Sequence, residues 1–165
     1  MADEAAFRAF VETNGAALLH AARLLTGDHH RGEDLVQTAL TRVYLKWDRI
    51  DAPLAYARQA MVTAHIDSTR RRWWGEKPTE VLPEATAVES ESIGAADERD
   101  ELRRLLSGLG ARERAVIVLR YYCDQSEQET AKTLGIPVGT VKSTCSRALS
   151  RLRIEIGRAS CRERV

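Results

Sequence analysis

The segment Ser126–Leu152, SEQETAKTLGIPVGTVKSTCSRALSRL, leaves this chain few folds to choose from. Ser126 and Glu129 are spaced as a capping box, in which each side chain satisfies a backbone N–H beside the other residue. Ala131 and Leu134 share one face of the short helix that follows. Gly135 stands where a helix stops in a left-handed conformation. Pro137 then has the fixed φ of a first helical turn. Val141, Cys145, Ala148, Leu149 and Leu152 recur at helical spacing and make an inward stripe. The opposite face holds Thr140, Lys142, Ser143, Ser146, Arg147 and Arg151, hydroxyls and cations with no carboxylate before Glu155. Two helices joined by a tight glycine turn, the second of them basic, read as a helix-turn-helix whose second helix enters a major groove. A plain helical hairpin with a solvated charged face is the alternative. Turn, cap, stripe and charge sign agree better with DNA.

Charge is unevenly distributed behind a net value of +1. Residues 1–76 hold 10 basic and 10 acidic side chains, residues 77–101 hold 2 and 8, and residues 102–165 hold 13 and 6. A neutral, an acidic and a basic block imply three parts. The cysteines Cys123, Cys145 and Cys161 form no CxxC pair, and adjacent His29 and His30 point apart on a helix, which argues against a metal or other cofactor. No apolar run reaches membrane-spanning length, and the acidic start MADEAAF is unlike a secretory signal. The expectation is a reduced, soluble, cytoplasmic protein.

In chain order, Phe7, Phe10, Val11, Leu18, Ala21, Ala22, Leu24 and Leu25 give a first helix, interrupted at Asn14-Gly15 and stopped by Thr26-Gly27-Asp28. Leu35, Val36, Ala39, Leu40, Val43, Tyr44 and Trp47 point inward from a second, with Glu33, Asp34, Gln37, Thr38, Thr41, Arg42 and Lys46 outside. A third runs from about Leu54 to Arg72 on Ala57, Ala60, Met61, Ala64 and Ile66. It ends in Arg70-Arg71-Arg72-Trp73-Trp74, cations beside flat rings on which unpaired bases can stack. A cation-stabilised helix end with a tucked tryptophan explains the same residues equally well. The pattern predicts an all-α chain: a three-helix bundle over 1–76, a flexible acidic linker over 77–96, and a four-helix domain over 97–156. Residues 157–165 lose the helical pattern and read as a non-native or disordered tail.

Three blocks, LLTGDHHRGEDLVQTALTRVYLKW, AYARQAMVTAHIDSTRRR and LRYYCDQSEQETAKTLGIPVGTVKS, resemble bacterial RNA polymerase sigma factors of the extracytoplasmic-function group, in that group's order. The resemblance covers most of residues 1–153. It implies core RNA polymerase and promoter DNA as partners, and an anti-sigma factor as a further one, with no membrane insertion, small-molecule substrate or enzymatic activity. It places Glu33, Asp34, Leu35, Gln37 and Thr38 on the polymerase clamp. It puts Thr63, Arg70, Arg71, Arg72 and Trp73 at the −10 element. Ser126, Thr140, Lys142, Ser143 and Arg147 fall at the −35 element. Thr63 stands where the group often has Asn, and Thr144 where it often has Arg, implying an atypical promoter. The linker's negative charge suits a segment that imitates nucleic acid inside the polymerase. A helix-turn-helix regulator that never touches polymerase is the runner-up; it would need neither the EDLVQ block nor the Arg-Trp helix end.

Overall fold

A computed structural model describes residues 3–75 and 93–163, with side chains over 3–71 and 99–157. Its regular elements are helical: α1 (Glu4–Thr26), α2 (His29–Leu45), α3 (Pro53–Gly75), α4 (Ile93–Ser107), α5 (Ala111–Ile117), α6 (Glu127–Leu134) and α7 (Val138–Glu163). A 3₁₀ turn at Trp47–Arg49 follows α2, and a π turn at Val118–Tyr122 follows α5. Helices α1–α3 form the N-terminal domain and α4–α7 the C-terminal one, as the hydrophobic periodicity predicts.

Local chemistry accounts for the helix ends. The Asp3 carboxylate accepts the Ala6 N–H and opens α1, and Gly27 closes it at φ 70°, its N–H on the Arg23 carbonyl at 2.8 Å. Asp28 caps α2 at once by accepting the Arg31 N–H at 3.0 Å. That backbone bond holds the Asp28 carboxyl below the ordinary carboxylate range, because only the ionised form accepts it fully. The expected interruption at Asn14-Gly15 does not occur. Asn14 lies within α1 and gives its side-chain amide to the Phe10 carbonyl at 3.0 Å. Trp47 meets Phe7 edge-on at 5.4 Å and closes the far end of the bundle. Tyr44, expected inward, is exposed and meets Phe7 edge-to-face at 5.0 Å.

Gly32 lets α1 and α2 approach closely. A Cβ there would stand 3.2 Å from the Arg23 nitrogen and 3.3 Å from its Cα, both backbone atoms that cannot step aside.

Boundaries differ from the sequence reading in two places. Helix α4 already begins at Ile93, inside the segment expected to be linker, while most of that segment lies outside the described residues. Helix α7 continues through Gly157 to Glu163, where a tail without helical pattern is expected. A single glycine costs a helix only about 1 kcal/mol against alanine, too little to end one already 19 residues long.

The two domains pack against each other. Helix α1 meets α5 and the π turn, and α3 meets α5 and α6. One buried apolar cluster runs from Leu18, Ala22 and Leu25 of α1 to Leu109 and Leu119 of the C-terminal domain. Arg114 ties this seam. Its guanidinium donates to the carbonyls of Leu106 (3.0 Å) and Leu109 (3.1 Å) at the end of α4, and to Leu25 in α1 (2.8 Å). Burial pulls the Arg114 pKa down from the arginine range. Each carbonyl recovers part of that cost through a charge-assisted bond. His20 stacks on Tyr122 across the same seam at 4.8 Å.

Candidate nucleic-acid and partner interfaces

Helix α6 presents α7. The Glu129 N–H donates to Ser126 Oγ at 3.0 Å while the Ser126 N–H donates to Glu129 Oε2 at 2.7 Å, the reciprocal cap predicted. Gly135 adopts φ 66° and turns the chain, and the Pro137 carbonyl accepts the Thr140 and Val141 N–H groups. Pro137 therefore stands one residue ahead of the helix, where its missing N–H costs nothing. Val141 and Ala148 are buried, with Cys145, Leu149 and Leu152 half-buried beside them.

Lys142, Ser143, Ser146, Arg147 and Arg151 form an exposed outer face, with Thr140 half-exposed at its start. Lys142 Nζ lies 3.7 Å from Glu127 Oε2 on α6, an open ion pair that leaves the ammonium available. Arg151 is more committed, at 3.0 Å from Glu113 Oε2 on α5. Ser143 donates its hydroxyl to the Thr140 carbonyl at 3.1 Å and keeps its acceptor lone pairs. The Ser126 hydroxyl accepts in the cap, so its own proton can still go to a phosphate.

Thr144 corrects the sequence reading. It is 2% exposed and turned into the core, so its departure from the group's usual residue touches packing and not groove reading.

Two cavities divide the other predicted residues. A cavity of about 370 Å³ between α2 and α3 brings Asp34, Leu35 and Thr38 together with Arg71. Three of the residues expected at polymerase and one expected at DNA thus line one cavity. Arg31 and Arg42 line the same space and add cations there. The sequence offered a signal for Arg42, which lies one turn beyond Thr38 on the outer face of α2. Leu35 is 8% exposed, a core residue that also forms part of this lining. Gln37 is exposed on the outer side of α2. Glu33 is half-exposed and holds His29 Nε2 at 2.8 Å.

Thr63 and Arg70 face elsewhere. With Asp67 they line a cavity of about 150 Å³ whose opposite wall is Arg112, Thr133 and Leu134 of the C-terminal domain. Successive residues on a helix diverge by roughly 100°, which is why neighbours Arg70 and Arg71 serve different sides. Arg72 and Trp73 lie in α3, with side chains outside those described.

Tyr121 is exposed beside the inward stripe of α7. Its hydroxyl lies 3.7 Å from Cys145 Sγ, and that contact, followed by burial, raises the phenol pKa. Burial likewise raises the Cys123 thiol and keeps it neutral. Among the described residues no cluster of His, Cys, Asp and Glu could hold a metal ion, and no helix is long and apolar enough to cross a membrane.

Residues 10–75 match the family description "Sigma-70 region 2" and residues 99–152 match "Sigma-70, region 4". The chain is 43% identical over 153 residues to an RNA polymerase sigma-E factor of Streptomyces avermitilis, covering 91% of this chain and 84% of that one. It is 32% identical over 163 residues to the ECF RNA polymerase sigma factor SigL of Mycobacterium tuberculosis, covering 94% and 91%. Among solved structures it is similar to the sigma factor RpoE of Bartonella quintana, in complex with the anti-sigma factor NepR. That match has TM-score 0.77 and 26% identity, and covers 92% of this chain and 96% of the other.

Proposed function

The chain belongs to the sigma-70 family, within its extracytoplasmic-function group, and on that premise we propose how its surfaces divide the work. It is a sigma factor: it binds core RNA polymerase and directs promoter-specific initiation through the −35 and −10 elements. The outer face of α7 reads the −35 duplex, with Lys142, Ser143, Thr140 and Arg147 supplying groove and phosphate contacts and Ser126 a flanking phosphate. The exposed side of α2, with Asp34, Gln37 and Thr38 and half-exposed Glu33, docks on a basic helical surface of the polymerase, where opposite charge steers encounter and register. Thr63, Arg70 and Arg71, with Arg72 and Trp73 beyond them, receive the −10 strand as it opens; splayed bases need cations and flat surfaces to offset lost stacking. The work is binding, without a bond-making step, and its place is the cytoplasm, where polymerase and chromosome meet. An anti-sigma factor is a fitting partner, since one occupies the similar structure from Bartonella quintana.

The observation that supports this best is the pairing of a capped, cation- and hydroxyl-faced α7 with an α2 whose carboxylate Asp34 shares a cavity with Arg71. Purified core polymerase mixed with this protein should retain it on a pull-down and yield a discrete run-off transcript from its cognate promoter. Retention of −35 duplex binding with no polymerase association would reduce the chain to a duplex-binding regulator.

A further inference from the structure

Resting on that reading, we infer that the cavity between α2 and α3 is a binding site for a nucleoside diphosphate, held by Arg31, Arg42 and Arg71, and that its occupant strengthens polymerase docking.

The cations of this cavity are left over by the docking of Asp34. That carboxylate suits a basic helical partner, yet Arg31 and Arg42 flank it on α2 and Arg71 lines the space from α3. Like charges in the path of a basic partner repel it. Among the described residues none of the three guanidinia forms an ion pair with a carboxylate, although Asp34 and Asp67 line the same space. Three such arginines around one concavity call for an anion from outside. Phosphate suits them, because a planar guanidinium meets two of its oxygens at once.

Shape narrows the ligand. The cavity holds about 370 Å³, within the ~300–1,000 Å³ of small-molecule sites. Exposed charged residues form its rim over a floor of buried Leu35 and half-buried Ala64 and Thr69. Arg31 and Arg42 are 11 positions apart, a rise of about 16.5 Å along α2. Successive helices across a short connection run antiparallel, so the Arg71 end of α3 lies toward Arg31 and away from Arg42. One end of the cavity thus offers two guanidinia, with the Ser68 hydroxyl among the lining groups, and suits a diphosphate. The remainder offers an apolar floor for a base, and Asp34 and Asp67 as acceptors for ribose hydroxyls. Arg42 closes that end with a flat cation able to stack on the base.

A bound diphosphate cancels the cations beside Asp34, and a basic partner then meets a surface of one sign. Ligand and polymerase each tighten the other by the same factor.

The test begins with calorimetric titration of the full chain, without polymerase, by ADP and by inorganic pyrophosphate. ADP should bind with micromolar affinity and pyrophosphate at least tenfold more weakly. Arg31→Ala and Arg42→Ala should each weaken ADP binding at least tenfold while the melting temperature holds, since both side chains are exposed. Arg42→Lys, which keeps the charge and loses the plane, should cost at least threefold. No heat from millimolar ADP would overturn the inference, as would ADP binding that neither alanine variant weakens. Pyrophosphate binding as tightly as ADP would remove the nucleoside. Displacement of ADP by a single-stranded −10 oligonucleotide at matched phosphate concentration would give the cavity to DNA and overturn it too. In a core polymerase pull-down, ADP should tighten retention of wild type at least threefold and leave Arg31→Ala unaffected; equal or weaker wild-type retention would sink the coupling. A chain never retained, with or without ADP, counts against the polymerase reading, whereas the titration stands by itself.

Discussion

Helices α3 and α7, the two proposed to meet nucleic acid, are finished to different degrees. The outer face of α7 is complete within its own domain, fixed by the reciprocal cap at Ser126–Glu129 and the left-handed Gly135. The contacts of α3 are divided, Arg71 turned toward α2 and Thr63 with Arg70 toward the other domain. A helix that reads duplex needs only a convex face, because the groove supplies the walls. A site for single strands must supply its own walls, and here α2 and the C-terminal domain line them. One interface is complete within a single domain and the other draws on two.

Lys142→Ala should break the complete interface most. Losing a groove contact weakens −35 duplex binding by roughly 1–3 kcal/mol, and losing a phosphate contact lowers the salt slope by about one. Titrations at several salt concentrations separate the two, and neither should alter −10 strand binding. An unchanged duplex affinity would mean that α7 does not enter the groove.

The glycines offer a smaller and cleaner contrast. Gly32→Ala forces a Cβ onto the Arg23 backbone at 3.2 Å, and overpacking of that kind typically costs 1–3 kcal/mol, offset by about 1 from better helix propensity. Gly135→Ala meets nothing within 4 Å, yet pays the left-handed cost of roughly 1–2 kcal/mol at φ 66°. Denaturant melts should show both losses. Backbone strain should give way at Gly135 to asparagine, which tolerates φ > 0, whereas the collision at Gly32 has no such remedy.

The smallest effect is a pH dependence at the seam. Burial, and then the cations Arg99, Arg23 and Arg103, hold the His20 pKa below its ordinary 6.5 in the packed state. Those arginines come from α4 and α1, and Tyr122 faces the ring from the π turn. Opening the seam lets His20 take up a proton more readily. Closure is therefore fully stabilised above about pH 6.5 and weakens as pH falls from there toward the depressed native value. A scattering series should show expansion in that window, absent in His20→Ala.

Local devices were the legible part of this fold. The capping box, Gly135 and the Gly27–Asp28 break each encode a backbone event within four residues, and each stands where the sequence puts it. The burial of Thr144 was not legible because threonine carries no hydrophobic signal, although the helix turns it between Val141 and Ala148 into the core. Arg114 reads as a surface cation in sequence. Its role depends on the Leu25 carbonyl 89 positions away, and no local pattern records such a partner. The division of Arg70 from Arg71 follows the same rule: helix phase was readable, but the wall each one meets was not. The motif at residues 33–37 shows the same limit: adjacent Leu35 and Val36 belong to the core while Asp34 and Gln37 on either side are exposed.

The π turn at Val118–Tyr122, closed by the Cys123 N–H on the Val118 carbonyl at 3.0 Å, decides which tyrosine reaches the seam. It accommodates one residue more than an α-turn holds, so its last residues are rotated by about 100° relative to a continuous α-helix before the chain leaves the helix at Cys123. That phase brings the ring of Tyr122 to His20 and leaves Tyr121 beside Cys145. Without that extra residue Tyr122 would take the phase that Tyr121 holds beside Cys145, and the ring stacked on His20 would leave the seam while the outer face of α7 kept its residues.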